Sequence, residues 1–229
     1  MSDDREKIMG RIREALAVPA PHHDSPAAEH AQGGATARFR EWLPLINDDL
    51  AGQLAHFSRQ CDLLRADLRE CADVAAAAAQ LAAILEQSAG RRLAYHPGAL
   101  NDQLVAHISQ SFEIVRIAAD YDRELLETCD AGLTECETLV AQTGSVCVTS
   151  RSSGGRALSV LPPHHIVVAR RAQLVPDLGA AYAHLAKKYA AGYPSFISFI
   201  SGPSRTGDIE RILVLGAHGP KKLTIILLP

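Results

Sequence analysis

Short apolar segments alternate with segments of helical periodicity along most of this chain, and this alternation constrains the fold more than any other feature. Apolar residues dominate HHIVVAR (164–170), RILVLGA (211–217) and KLTIILL (222–228). ADVAAAAAQLAAILEQ (72–87) and LGAAYAHLAKKYA (178–190) have the composition and periodicity of helices. Largely apolar strands separated by helices predict an α/β fold with a mostly parallel sheet and helices on both faces.

The amino-terminal part of the chain differs from the rest. Ile8, Ile12 and Leu16 recur at a spacing of four, which predicts a helix over residues 2–17. The following residues, rich in Pro, His, Ala and Gly and without periodicity, indicate a linker. We therefore expect a helix and flexible linker over residues 1–37 and one α/β domain over residues 38–229. Within that domain, CDLLRADL (61–68) is interpreted as a strand.

Composition excludes several classes of function. The net charge of −3 argues against nucleic acid as the main partner, because phosphate binding needs a basic face. No apolar run approaches the ~18–20 residues that a membrane span requires, and the acidic, polar start MSDDREKIMG is unlike a secretory signal. The five cysteines lack a C-x-x-C pair, which favours reduced thiols in the cytoplasm and excludes an intrinsic iron–sulfur cluster. We expect a cytoplasmic protein that holds neither a cofactor nor a metal.

The segment SGPSRTGDIERILVLGAHGP (201–220) is the strongest candidate for a ligand-binding site. Ligands of open α/β sheets bind beyond the carboxyl ends of the strands. Ser204, Arg205 and Thr206 follow a predicted strand and offer two hydroxyls and a guanidinium, while Gly207 allows close approach. These residues predict a cradle for a carboxylate or phosphate. The alternative is an internal ion pair of Arg205 with Asp208 or Glu210.

A histidine lies at the carboxyl end of the apolar run in the same segment. His218 is held between Gly216 and Gly219, and an imidazole in such a position suits general acid–base catalysis. The alternative is a turn histidine bonded to the backbone. None of the neighbouring histidines or carboxylates has diagnostic metal spacing.

Two further segments carry polar side chains of interest. If residues 132–144 are extended, Glu135 and Glu137 share a face, and their repulsion would raise the pKa of one of them. The alternative is an edge strand with solvated glutamates. Arg151, in the glycine-containing loop that follows, belongs to a basic segment that could close over an anion. The alternative is a disordered turn.

Taken in order, TECETLV (134–140), GRALSVLPPHHIVV (155–168) and SGPSRTGDIERILVLGAHGP (201–220) resemble the lactate utilization protein C family, whose shared unit is the LUD domain. The resemblance covers residues 38–229. It implies a fold like that of ribose-5-phosphate isomerase, glucosamine-6-phosphate deaminase and the coenzyme A transferases. It also implies a role in bacterial oxidation of L-lactate to pyruvate alongside two iron–sulfur partner proteins, with this chain as the cluster-free subunit.

The chain departs from the family pattern at one point. Relatives commonly have a small residue and then glycine after the motif glutamate, whereas Cys136 and Glu137 follow Glu135 here. A side chain at residue 137 would crowd a backbone-lined anion pocket and add negative charge. Glu135 itself corresponds, by analogy of fold alone, to the catalytic-glutamate loop of coenzyme A transferases.

The leading hypothesis is a lactate-utilization subunit with one crevice for a small carboxylate or phosphorylated ligand. Glu135 and His218 would transfer protons in that crevice. The ligand would be bound by a second set of residues: Thr138, Ser204, Arg205, Thr206, Gly207 and Gly219. One alternative is a non-catalytic assembly subunit that reaches its partners through the amino-terminal helix, and another is a stand-alone isomerase-like or transferase-like enzyme. The sequence is compatible with a homo-oligomer and leaves open whether the chain alone is catalytic.

Overall fold

The structure is a computed structural model that describes residues 2–17, 46, 49–117, 122–207, 213–215 and 218–229. The chain divides into two units, Met1–Pro44 and Leu45–Pro229. Helix α1, Ser2–Ala17, is the described element of the first unit and occupies the predicted range. The linker predicted to follow it lies outside the described residues. Among the described helices, none combines the length and hydropathy needed to cross a membrane.

The second unit alternates strands and helices, as the sequence predicts. Its described helices are α2 (Leu50–Leu64), α3 (Val74–Gln87), α4 (Ala99–Ile108), α5 (Arg123–Glu127) and α6 (Leu178–Lys188), with a 3-10 turn at Arg171–Gln173. Its described strands are β1 (Asp67–Glu70), β2 (Arg92–Tyr95), β3 (Glu113–Arg116), β4 (Ala131–Glu135), β5 (Thr138–Val140), β6 (Ser145–Thr149), β7 (His164–Arg170), β8 (Leu174–Val175), β9 (Ile197–Ile200), β10 (Arg205–Gly207), β11 (Leu213–Leu215) and β12 (Lys222–Leu228).

Six of the strands form one sheet in the order β1-β12-β7-β4-β2-β3, and every neighbouring pair is parallel. This confirms the predicted parallel sheet. From β2 the chain moves outward to β3, then returns to β4 and continues through β7 to β12 on the other side. The direction of winding therefore reverses between the neighbours β2 and β4, and a crevice opens at such a switch point in doubly wound sheets.

The two faces of the sheet are covered differently. Helices α3 and α4 cover one face, where Leu81 and Leu104 pack against strand residues such as Leu133. Helix α2 and a second sheet, in the order β8-β5-β6-β9, cover the other face. The second sheet arises because β5 and β6 follow β4 too closely for a crossover helix and pair antiparallel instead.

One predicted strand is part helix. Residues 61–64 continue α2, and the strand begins only at Asp67. The reason is packing: Phe57 and Cys61 are four residues apart and both fully buried, so the apolar face of α2 extends through Cys61.

Candidate functional site

A polar crevice lies where β2 and β4 end, at the switch point of the sheet. It is lined by His96, Pro97 and Gly98 after β2, by Glu135, Cys136 and Glu137 at the end of β4, and by Arg151, Ser152, Lys188 and Tyr189 from the covering segments. Its volume is about 400 Å³, which is within the usual range for a small-molecule site. We call it the switch-point crevice.

Glu135 is fixed in this crevice by the amino terminus of α4. Its Oε1 accepts hydrogen bonds from the amide of Leu100 at 2.7 Å and the amide of Asn101 at 3.3 Å. The helix has Gly98 at its N-cap, which offers no side chain of its own. The positive end of the helix dipole favours a charged carboxylate in this position, so Glu135 stands in the crevice wall as an oriented acceptor.

Glu137 is buried beneath the crevice, with 1% of its side chain exposed. The Lys188 ammonium and the Tyr189 hydroxyl each donate to it at 2.6 Å, and the Thr149 hydroxyl donates at 2.9 Å. Burial acts to raise the pKa of this carboxyl, but the hydrogen bonds, led by the one from Lys188, outweigh it and hold the pKa below its usual value.

This network corrects two expectations about Glu137. The pKa of Glu137 is lowered by its donors, so the predicted repulsion between Glu135 and Glu137 does not raise the pKa of this member of the pair. Its charge is matched by the Lys188 ammonium, so it does not place an uncompensated negative charge in the crevice.

Cations stand at the rim of the crevice. Half of the Lys188 side chain is exposed; burial lowers its pKa, but the hydrogen bond to Glu137 more than offsets this, so Lys188 remains an ammonium. The Arg151 guanidinium lies 5.1 Å from the centre of the Tyr189 ring and donates to the carbonyl of Gly192 at 3.3 Å. These groups suit an anionic oxygen ligand.

The thiol of Cys136 does not provide a nucleophile in this crevice. Burial raises its pKa far above the usual thiol value, and the neighbouring Cys147 adds to the effect. The available chemistry is therefore that of a carboxylate acceptor, Glu135, and of cationic donors that line the same crevice.

The structure places three of the other predicted residues around a second, smaller cavity. Ser204, His218 and Gly219 line a space of about 150 Å³ together with His165 and Ser159. The amide of Ser204 donates to the carbonyl of Pro220 at 2.9 Å, which ties the two glycine–proline turns together. This space lies beside the first residues of β7 and β12, at the amino ends of the parallel strands.

Glu135 and His218 are therefore at opposite ends of the sheet rather than in one crevice. The apolar run before His218 is not a core strand: β11 pairs antiparallel with β10 in a separate two-stranded sheet. The core strand is β12, and His218 precedes it. Because His218 precedes a parallel strand while Glu135 ends one, the two side chains belong to different edges.

Arg205 and Thr138 line neither space. Arg205 donates to the carbonyl of Leu64, the last residue of α2. Thr206 and Gly207 lie in β10, and Thr138 is buried in β5. The predicted alternative partners of Arg205, Asp208 and Glu210, lie outside the described residues.

Sequence reasoning missed several side chains of the switch-point crevice. His96 is the last residue of RRLAYH (91–96), a segment with the pattern of a short strand, and a polar residue at the carboxyl end of a strand is a usable signal. Lys188 and Tyr189 end a helix far along the chain, and their contact with Glu137 depends on how α6 packs. A pattern within one segment cannot show that contact.

Comparison with known proteins agrees with this architecture. Residues 56–228 match the LUD domain family. Lactate utilization protein C of Halalkalibacterium halodurans is 39% identical over 106 residues, which are 45% of this chain and 46% of that protein. Lactate utilization protein C of Bacillus licheniformis is 33% identical over 132 residues, which are 57% of this chain and 55% of that protein. The chain thus spans about half the length of the curated relatives that it matches.

A solved structure also supports the fold. The crystal structure of a DUF162 family protein from Deinococcus radiodurans superposes with a TM-score of 0.63, covering 81% of this chain and 100% of that one at 24% identity. Since the LUD match takes in residues 56–228, well over half of the sequence, the chain belongs to the LUD domain family.

Proposed function

We propose that this chain serves bacterial lactate utilization by binding a small 2-hydroxy or 2-oxo carboxylate in the switch-point crevice. Its curated relatives are named lactate utilization protein C. The observation that carries the proposal is that cationic donors and a fixed carboxylate line one crevice at the carboxyl ends of parallel strands.

The cationic rim of the crevice would bind the carboxylate of such a ligand. The Lys188 ammonium has three N–H donors and uses one on Glu137, which leaves donors for a ligand. Arg151 is exposed and lies at the same rim. Charge-assisted hydrogen bonds from both would hold the ligand's carboxylate.

Glu135 would accept a hydrogen bond from the 2-hydroxyl of the ligand. Its Oε1 is occupied by the amides of α4, and its Oε2 accepts no hydrogen bond from the described residues. A 2-hydroxyl could donate to that oxygen, so Glu135 would orient the hydroxyl of the bound ligand.

Calorimetric titration of L-lactate and pyruvate tests the assignment. We expect Arg151→Gln to weaken binding about tenfold, the effect of one lost charge-assisted contact. Arg156→Gln is the matched control, because Arg156 is in the same loop and donates to the carbonyl of Ser195 but does not line the crevice. Unchanged binding by Arg151→Gln, or equal losses in the two variants, would refute the site.

An assembly role is a second candidate, and the surface of α1 favours it. Ile8 is 59% exposed and Met9 is 39% exposed on a helix that belongs to a unit of its own. Deleting residues 1–35 tests this role: lost co-purification with the iron–sulfur partners, together with intact lactate binding, would support it. Co-purification that survives the deletion would exclude it.

A further inference from the structure

The carboxylate of Glu137 joins separate segments around the switch-point crevice. Glu137 lies between β4 and β5. It accepts hydrogen bonds from Lys188 and Tyr189, where α6 ends, and from Thr149, the last residue of β6. Glu137, Thr149 and Tyr189 are all buried, so a bond lost among them leaves a polar group without a partner. The carboxylate therefore fixes the ends of α6 and β6 relative to each other.

The bond from Thr149 extends this constraint to the loop that carries Arg151. The Thr149 hydroxyl gives its one proton to Glu137, so its lone pairs are free to accept. They accept hydrogen bonds from the backbone amides of Arg151 and Ser152, each at 3.2 Å. The loop thus begins on a hydroxyl whose orientation is set by Glu137.

The bond from Tyr189 acts on the side chain of Arg151. The Tyr189 hydroxyl donates to Glu137 at 2.6 Å, and the Arg151 guanidinium lies over the ring of the same tyrosine, 5.1 Å from its centre. A guanidinium is attracted to the negative face of an aromatic ring. Because the hydroxyl bond holds the ring in place, Glu137 also fixes the surface on which the guanidinium lies.

We propose that Glu137 is a positioning residue that holds both cations of the crevice rim, Lys188 directly and Arg151 through Thr149 and Tyr189. This role rests on the proposed function, in which the two cations bind the carboxylate of the ligand. By charge alone, the removal of a carboxylate beside the crevice should strengthen the binding of an anion. Weaker binding after its removal is therefore the signature of positioning.

Calorimetric titration of pyruvate into the full chain at pH 7 tests this role. Glu137→Gln keeps the shape of the side chain, but it leaves the Lys188 ammonium without its counter-charge and offers one acceptor oxygen to three donors. We expect this variant to weaken pyruvate binding about tenfold, the effect of one lost charge-assisted contact. Unchanged or tighter binding would overturn the proposal.

Two variants of Thr149 provide a matched comparison that keeps the charge of Glu137. Thr149→Val keeps the shape of the side chain but removes the hydroxyl between Glu137 and the Arg151 amide. It should weaken pyruvate binding about fivefold, as expected for one hydrogen bond. Thr149→Ser retains the hydroxyl and should bind pyruvate as the wild type does. Equal affinities of the two variants would overturn the proposal.

The NMR chemical shifts of arginine side chains test the same role without a ligand. The ring current of Tyr189 should separate the side-chain signals of Arg151 from those of Arg156, which donates to the carbonyl of Ser195 instead. Glu137→Gln should move the Arg151 signals towards those of an exposed arginine and leave the Arg156 signals in place. If this change is seen but the wild type binds no pyruvate, the positioning role is supported and the proposed function is contradicted. Arg151 signals that do not move in Glu137→Gln would overturn the positioning role.

Discussion

Gly98 and Glu135 are packed so closely that a Cβ on residue 98 would lie 2.4 Å from Oε1 of Glu135. The absence of a side chain at residue 98 is what lets the carboxylate reach the first amides of α4. We predict that Gly98→Ala displaces this carboxylate and lowers the free energy of unfolding by about 1–2 kcal/mol, as the loss of a helix cap does.

A double-mutant cycle in urea unfolding checks this contact. In a Glu135→Ala background the added methyl group has room, so Gly98→Ala should cost much less there. If the substitution costs the same in both backgrounds, Glu135 is not the group that it displaces.

The buried Glu137 depends on Lys188. We predict that Lys188→Met lowers the free energy of unfolding by about 2 kcal/mol, less than for a fully buried pair because half of the lysine is exposed. Because the folded pKa of Glu137 is depressed, its stabilisation is present above the ordinary carboxyl pKa of about 4.3 and is lost as the pH falls through the folded value. The difference in the free energy of unfolding between wild type and Lys188→Met should therefore become smaller below about pH 4. Lys187→Met should leave stability nearly unchanged, and a difference that grows in acid would contradict the account.

The two adjacent histidines at the start of β7 should make the fold sensitive to moderate acid. Burial, the larger cause in each case, lowers the pKa of His164 to about 4 and that of His165 to about 3, from an ordinary value of 6.5. As the pH falls below 6.5, these two imidazoles bind protons in the unfolded chain but not in the folded chain. The free energy of unfolding therefore decreases from pH 6.5 towards pH 4. The slope should be about 1.4 kcal/mol per pH unit for each histidine.

Urea unfolding between pH 7 and pH 4.5 measures this slope. His165→Asn should remove about half of it. His107→Gln, which changes an exposed histidine on α4, should leave it intact. A slope that is undiminished in His165→Asn would show that this histidine is not one of the groups that titrate.

The turn at Gly202 should be intolerant of a side chain. Its φ of +82° is in the left-handed region, and a Cβ there would lie 2.7 Å from the carbonyl oxygen of Leu64. We expect Gly202→Ala to lower the free energy of unfolding by about 2–3 kcal/mol. Gly192 also has a positive φ, +156°, but a Cβ there would meet nothing within 4 Å. If Gly192→Ala costs as much as Gly202→Ala, the contact with Leu64 is not the cause.

The sequence predicts the secondary structure correctly where the pattern within one segment determines it. The apolar run at 164–170 forms the predicted strand, and the alanine-rich segment at 74–87 forms the predicted helix. Packing against the rest of the domain does not change either element. The predicted strand at 61–68 failed because burial of Phe57 and Cys61 against the second sheet extends α2. That contact joins residues far apart in the chain, so a local pattern cannot reveal it.

The site was predictable only in part, for a similar reason. Glu135 ends a core strand, so the rule for parallel sheets places it at an edge where ligands bind. His218 follows an apolar run with the same local appearance, but this run pairs with β10 instead of joining the main sheet. Lys188, which matches the charge of Glu137, is 51 residues away from it in the sequence.

A crystal structure of the full chain soaked with L-lactate tests the central claim most directly. The account predicts the ligand's carboxylate against Arg151 and Lys188, with its hydroxyl towards Glu135. Lactate bound beside Ser204 and His218 at the amino ends of the strands, or a switch-point crevice left empty at saturating lactate, would contradict it.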